Sequence, residues 1–323
     1  MKENIFVRQN EAKWQRYESG LTTSPDQIAD SFIELSSDLS YANTFFPDSG
    51  IIPYLNRLTG AFYQKIYRNK KEDKGRFILF FMVEIPLIMA ARQKKLLYSF
   101  LFFSFFCFTG AFSAAHDQQL VNRILGDDYV NMTNANIRKG DPFHVYKQNS
   151  APLMFITIAA NNIYVSFNVF VSGIFLGAGT LYNLFTNGLI LGSFEYYFFA
   201  HGLGIKSLLV IFIHGTLEIS ALVITGCAGL NLGASLLFPG SYSRLYSVKK
   251  AALEGIKIMI ALVPVFIIAA LLESSVTRHD QMPLALSLVI LVSSLLFILG
   301  YFVFYPGYLT RINHQLTQYK PTP

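Results

Sequence analysis

Charge is what this sequence lacks most. Of its 323 residues only 14% are Asp, Glu, Lys or Arg, against roughly 25% in a soluble domain. That deficit excludes an ordinary soluble enzyme. Cysteine is scarce too: Cys107 and Cys227 are the only two. Each sits inside an apolar run without CxxC or zinc-type spacing, which argues against a structural disulfide or a zinc module. There is no Gly-x-Ser-x-Gly elbow, no P-loop Gly-Lys-Ser/Thr and no H-E-x-x-H. No basic stripe interleaved with aromatics speaks for nucleic acid. Met1–Gly20 has no apolar core between its charges, so no signal peptide is expected. Asn131-Met132-Thr133 fits a glycosylation acceptor, but so short a pattern carries no weight.

What is present is apolar, at 52% of residues, and the few charges are unevenly placed. Residues 1–95 hold 14 of the 26 Lys+Arg and 11 of the 20 Asp+Glu. This is a polar head on an apolar body. In the head, Ser24-Pro25-Asp26-Gln27 offers an N-cap, a Pro at the first helical position and a capping-box Gln. Ile28, Phe32, Leu35, Leu39, Ala42 and Phe46 follow at helical spacing until Pro47. A second helix is predicted from about Ile52 to Arg68, and a shorter one around Glu11–Glu18 carries Trp14, the only tryptophan. A small cytoplasmic helical bundle over residues 1–75 accounts for these patterns, and it could also serve as a docking surface.

Lys70–Arg76 reads as a charged linker. Phe77–Ala91 is apolar but short and interrupted by Glu84 and Pro86, which predicts an interfacial amphipathic helix over residues 76–95. Spans of about 20 apolar residues are then predicted at Leu96–Ala115, Asn161–Tyr182, Asn183–Ala200, Ser207–Cys227, Gly255–Leu272 and Leu284–Tyr305. His116–Ser150 is polar and should pack over the membrane body. With residues 1–95, 239–257 and 307–323 on the inside, 20 Lys+Arg lie inside and six outside, as the positive-inside rule requires. The expectation is an all-α membrane bundle of about six spans over residues 96–306, with both termini cytoplasmic and a tail at 307–323. Asn187-Gly188 and His201-Gly202-Leu203-Gly204 could instead mark a broken or re-entrant helix within Asn183–Gly204.

Polar residues inside the apolar body carry the functional information. Three Gly-x-x-x-Gly pairs, Gly173/Gly177, Gly188/Gly192 and Gly229/Gly233, predict close helix packing, within one chain or between copies. Asn161, Asn162, Ser166, Asn168 and Ser172 form a stripe that should face protein or water, either for interhelical bonding or to line a hydrated cavity. Glu195, His201, His214, Glu218 and Glu273 are ionisable groups where charge costs at least about 2.5 kcal/mol. His214 and Glu218 are four apart on one helical face, whereas Glu273 is expected to pair with Arg278 rather than reach them. His214-Gly215-Thr216-Leu217-Glu218 has zincin-like spacing but only two potential ligands, so a metal would need a third from another helix. No metal or cofactor is expected. The candidate functional residues are His214, Glu218, Glu273, Asn161, Asn162 and Asn187.

Those same segments carry a resemblance. Asn161-Asn162, Gly173–Gly177, Asn187–Gly192, His214–Ile219, Gly226–Gly233 and the helix ending Ala269–Glu273 resemble, in order, the membrane domain of the stage II sporulation protein M family. The resemblance covers residues 95–306. The long head is similar to the version found in non-sporulating bacteria. The family motif residues present are Asn162, Gly177, Asn187, Gly188, His214, Gly215, Glu218, Gly229 and Glu273. The resemblance implies a non-enzymatic inner-membrane scaffold that recruits cell-envelope partners, either peptidoglycan-degrading enzymes or a MoxR-type ATPase system. A transporter or channel-like protein using the intramembrane Asn, His and Glu residues is the alternative, an intramembrane hydrolase a minor one. Membrane lipid surrounds the body on any of these readings. Self-association is left open.

Overall fold

The computed structural model describes residues 2–19, 24–68, 75–144, 150–277 and 282–318. Among these the chain is helical and has no strand. It divides into two compact units, Met1–Phe77 and Ile78–Pro323.

The first unit is built from α1 (Glu3–Glu18), α2 (Pro25–Phe45) and α3 (Ile51–Arg68). The helix around Trp14 begins eight residues earlier than the periodicity indicates. α2 starts at Pro25 as expected, although the Ser24 side chain makes no capping hydrogen bond. Phe6, Trp14, Leu35, Ala42, Leu55, Leu58 and Phe62 form the core. Burying an indole would strand its N–H, and Trp14 Nε1 donates to Asp38 Oδ2 at 2.8 Å. Lys13 in turn approaches Asp38 at 2.6 Å. Residues 70–74 of the predicted linker lie outside the described residues.

The second unit contains α4 (Arg76–His116), α7 (Ala151–Val171), α8 (Ala178–Ala200), α9 (Gly204–Leu237), α10 (Arg244–Val276) and α11 (Leu284–Ile312). Two short helices, α5 (Gln118–Leu125) and α6 (Asp127–Arg138), lie between α4 and α7. Five described helical runs are long and apolar enough to cross a membrane: α4, α7 with its continuation to Ile174, α9, α10 and α11. α8 is not among them, because Asn183, Asn187, Glu195 and three glycines dilute its hydropathy. At 23 residues it is nevertheless about 34 Å long.

Contacts fix the helix directions. Ser99 Oγ donates to Val223 O at 2.7 Å and Lys95 Nζ to Asn231 Oδ1 at 2.6 Å, so α9 runs antiparallel to α4. Gly188 abuts Phe103 and Cys107, Gly192 abuts Cys107 and Ala111, and Ser193 Oγ donates to Gly110 O, so α8 runs parallel to α4 over the same depth. α7 runs parallel to α9, since Gly173 meets Gly229 and Gly177 meets Gly233. α9 is the central, most buried helix. The polar segment after α4 does pack on the body: Val121, Val130 and Phe143 bury against Tyr197, Phe198, Val210 and Ile211.

Three sequence expectations are corrected. The interfacial segment is not a separate helix. Arg76–His116 is a single helical run, with a π turn at Phe80–Glu84 before Pro86. The second and third spans do not divide at Tyr182/Asn183. They divide at the turn after Val171, where Leu176 (φ 54°) and Gly177 (φ 86°) take left-handed conformations that an α-helix cannot contain. Of the two candidate breaks, Asn187-Gly188 lies in mid-helix without a break, while the turn at His201–Leu203 falls where the sequence put it, with Gly202 at φ 71°.

Candidate functional site: a polar cleft in the helical body

The three Gly-x-x-x-Gly pairs create the frame. Gly173/Gly177 and Gly229/Gly233 face one another, joining α7 and α9, while Gly188/Gly192 dock α8 on α4. All three are used within the chain. On the same face of α7, about two and three turns before Gly173, Ser166 and Asn162 are buried, and α9 brings Glu218 beside Asn162.

Two hollows meet here. One of about 400 Å³ is lined by Asn161, Asn162, His214, Glu218 and Glu273 among others. A second of about 240 Å³ adds Ser166 and Asn187 and shares Asn161, Asn162 and Glu218 with the first. Each of the six candidate residues therefore lines one or both of these adjoining hollows, together the polar cleft.

Glu273 does reach His214, contrary to expectation. It is carried on a π turn, Leu272–Val276, at the end of α10. His214 Nε2 and Glu273 Oε2 are 3.8 Å apart. Arg278, its expected partner, lies outside the described residues. His214 Nδ1 pairs with Thr277 Oγ1 at 3.1 Å, and Thr277 donates in turn to Leu272 O at 3.4 Å. Ligand atoms of His214, Glu218 and Glu273 all lie within 4.8 Å of one another.

Other polar candidates do not join this group. Asn168 is exposed and donates to Tyr164 O, and Ser172 donates to Val169 O, so the predicted stripe breaks up below Ser166. His201 contacts Tyr197 O one turn back. Glu195 accepts from Ser207 at 3.1 Å and lines a separate, mostly apolar hollow.

A second polar knot escaped sequence reading. Arg92 Nε and Nη2 both donate to Glu254 Oε2, at 3.0 and 2.8 Å, and Asn231 Nδ2 donates to the same oxygen at 3.1 Å. Lys95 completes it through Asn231, and Lys257 pairs with Glu84 close by in sequence. The only available signal was that Arg92 and Lys95 fall within a helical pattern.

Fold and site together define an all-α, multi-pass membrane protein with a polar cleft lodged in an apolar body. The family model described as Stage II sporulation protein M matches residues 99–278, more than half of the chain, and the chain belongs to that family. The match contains every cleft residue. Residues 4–68 match a family model described as a domain of unknown function (DUF8413). No curated protein and no solved structure matches the chain.

Proposed function

We propose that the protein is a non-enzymatic scaffold of the bacterial inner membrane that organises cell-envelope partners. The observation that supports this best is the pairing of a head that has its own aromatic core with a body locked by backbone-to-backbone glycine contacts. Such a body anchors and orients, and such a head is free to bind. On this reading α4, α7, α8, α9, α10 and α11 make six crossings, and the end bearing Arg92, Lys95, Arg244, Lys249 and Lys250 faces the cytoplasm. Both termini are then cytoplasmic. Peptidoglycan-degrading enzymes would be engaged outside and a MoxR-type ATPase system inside.

Cross-linking in native membranes followed by affinity capture tests the proposal. The full-length chain should recover envelope enzymes or ATPase subunits, and a chain lacking residues 1–75 should recover severalfold less of the cytoplasmic set. Equal recovery with and without the head, or neither class with the full chain, contradicts it.

The cleft itself favours a second reading, passage of a small cation or proton past Glu218 and Glu273. Glu218→Gln and Glu273→Gln separate the two. Loss of the cellular phenotype with partner capture intact supports passage, while a retained phenotype supports the scaffold alone.

A further inference from the structure

We propose that the smaller hollow, ringed by Asn162, Ser166, Asn187 and Glu218, binds one small monovalent cation of the Na⁺ kind. The site lies in the cleft that passage would use, yet the inference concerns binding alone and holds whether the ion stays or moves on. α7 places Asn162 and Ser166 one turn apart on its buried face, at 8% and 1% exposure. Asn187 from α8 and Glu218 from α9 line the same space of about 240 Å³.

Ser166 is the first sign of a ligand. A serine inside a helix can turn its hydroxyl back to the carbonyl one turn earlier, as Ser31 and Ser36 do. Ser166 does not, and its hydroxyl has no hydrogen-bond partner among the described residues. Leaving a buried hydroxyl unmatched is costly, which points to a bound species in the hollow.

The amides say what kind of species. Asn162 is hydrogen-bonded to Glu218, and a carboxylate only accepts, so the amide nitrogen is the donor. Asn187 Nδ2 donates to Asn183 O at 2.8 Å. Both amides thus spend their N–H groups on the protein and keep a carbonyl oxygen. The hollow is left with two carbonyl oxygens, a hydroxyl and a carboxylate, an oxygen set that suits a hard cation.

Charge selects the valence. Glu218 is the one ionisable residue lining this hollow, and a carboxylate so deep in an apolar body has to be paired. His214 and Glu273 come within 4.8 Å of it, but they line the neighbouring hollow. A monovalent ion balances Glu218, whereas Ca²⁺ affinity follows the number of charged ligands.

The test is binding of radioactive sodium to the full-length protein in detergent, washed into choline chloride. About one Na⁺ should bind per chain, displaced by unlabelled Na⁺ and not by choline, which is too large for side-chain oxygens to wrap. Glu218→Gln, Ser166→Ala and Asn187→Ala should each weaken binding about tenfold or more, the loss of one contact to a charged group. Asn168→Ala and Glu195→Gln, outside the ring, should change nothing. Binding no higher than the choline background, full affinity in Glu218→Gln, or displacement by micromolar Ca²⁺ overturns the proposal. The wild-type comparison of Na⁺ with choline decides even if a variant fails to fold. Sodium flux into proteoliposomes is scored apart: binding without flux upholds the site and removes sodium passage, while no binding removes the site and leaves proton passage standing.

Discussion

Gly173 and Gly229 pack backbone against backbone: a Cβ on Gly173 would stand 2.2 Å from the Gly229 carbonyl oxygen. The same holds where α8 meets α4, since a Cβ on Gly192 would fall 1.8 Å from Cys107 O. A carbonyl in a helix cannot step aside as a side chain can. Gly173→Ala and Gly192→Ala should therefore each destabilise the body by about 1–3 kcal/mol through forced separation of the helices. Gly215→Ala, whose Cβ would find its nearest neighbour at 3.6 Å, should be tolerated. Denaturant titration of the purified protein in detergent checks the contrast, and equal effects at the three positions would refute it.

The Arg92–Glu254 pair should behave as a buried ion pair does. Glu254→Ala leaves the guanidinium and the Asn231 amide facing an empty acceptor position, at a cost of about 2–3 kcal/mol. Removing both charges as Arg92→Met/Glu254→Met should cost less than that single change. A double-mutant cycle on unfolding reads the coupling, and strictly additive effects would contradict it.

Trp14 gives a private probe of the head, being the only tryptophan in the chain. Its fluorescence on urea titration should report a transition of the first unit alone. Asp38→Ala strands the buried indole N–H and should lower that stability by about 1–3 kcal/mol. An unchanged midpoint would show that the 2.8 Å bond contributes nothing.

Tyr17 makes the head sensitive to alkali. Burial, and then its bond to Glu34, push the phenol from 10.0 up to about 12. The folded state thus holds this proton more tightly than the unfolded chain. Its contribution is whole below about pH 10 and is lost as pH rises toward 12. Tryptophan-detected stability should fall across that window in the wild type and fall less steeply in Tyr17→Phe. Identical slopes would count against it.

Much of this was legible in the sequence, because apolar run length and charge placement are local signals. The long helices, the helical head, the polar cap after α4 and the cleft residues on α7 and α9 all follow from spacing. What was not legible depends on partners far away in sequence. Arg92 and Lys95 looked like a membrane boundary, since unpaired charge is costly there, yet Glu254 and Asn231 receive them and the helix runs on. Glu273 looked bound to Arg278 because only near neighbours can be judged from spacing. A π turn aims it at His214, 59 positions away. The turn after Val171 was misplaced for a related reason. Asn183 read as the start of a span and Asn187-Gly188 as a candidate break, but each asparagine bonds a carbonyl one turn back and stays helical, while Leu176 and Gly177 carry the positive φ.

The central claim is that α8 crosses, which makes six crossings and puts the turn after α7 and the polar turn after α9 on one side, opposite Lys206. Single cysteines at Phe175, Lys206 and Ser241, in a chain with Cys107 and Cys227 replaced by Ala, test it most directly with a membrane-impermeant maleimide. Phe175 is 70% exposed at the turn before α8. Phe175→Cys and Ser241→Cys should react only when the cytoplasmic face is opened, and Lys206→Cys from outside intact cells. Labelling of Phe175→Cys from the same side as Lys206→Cys would contradict the account.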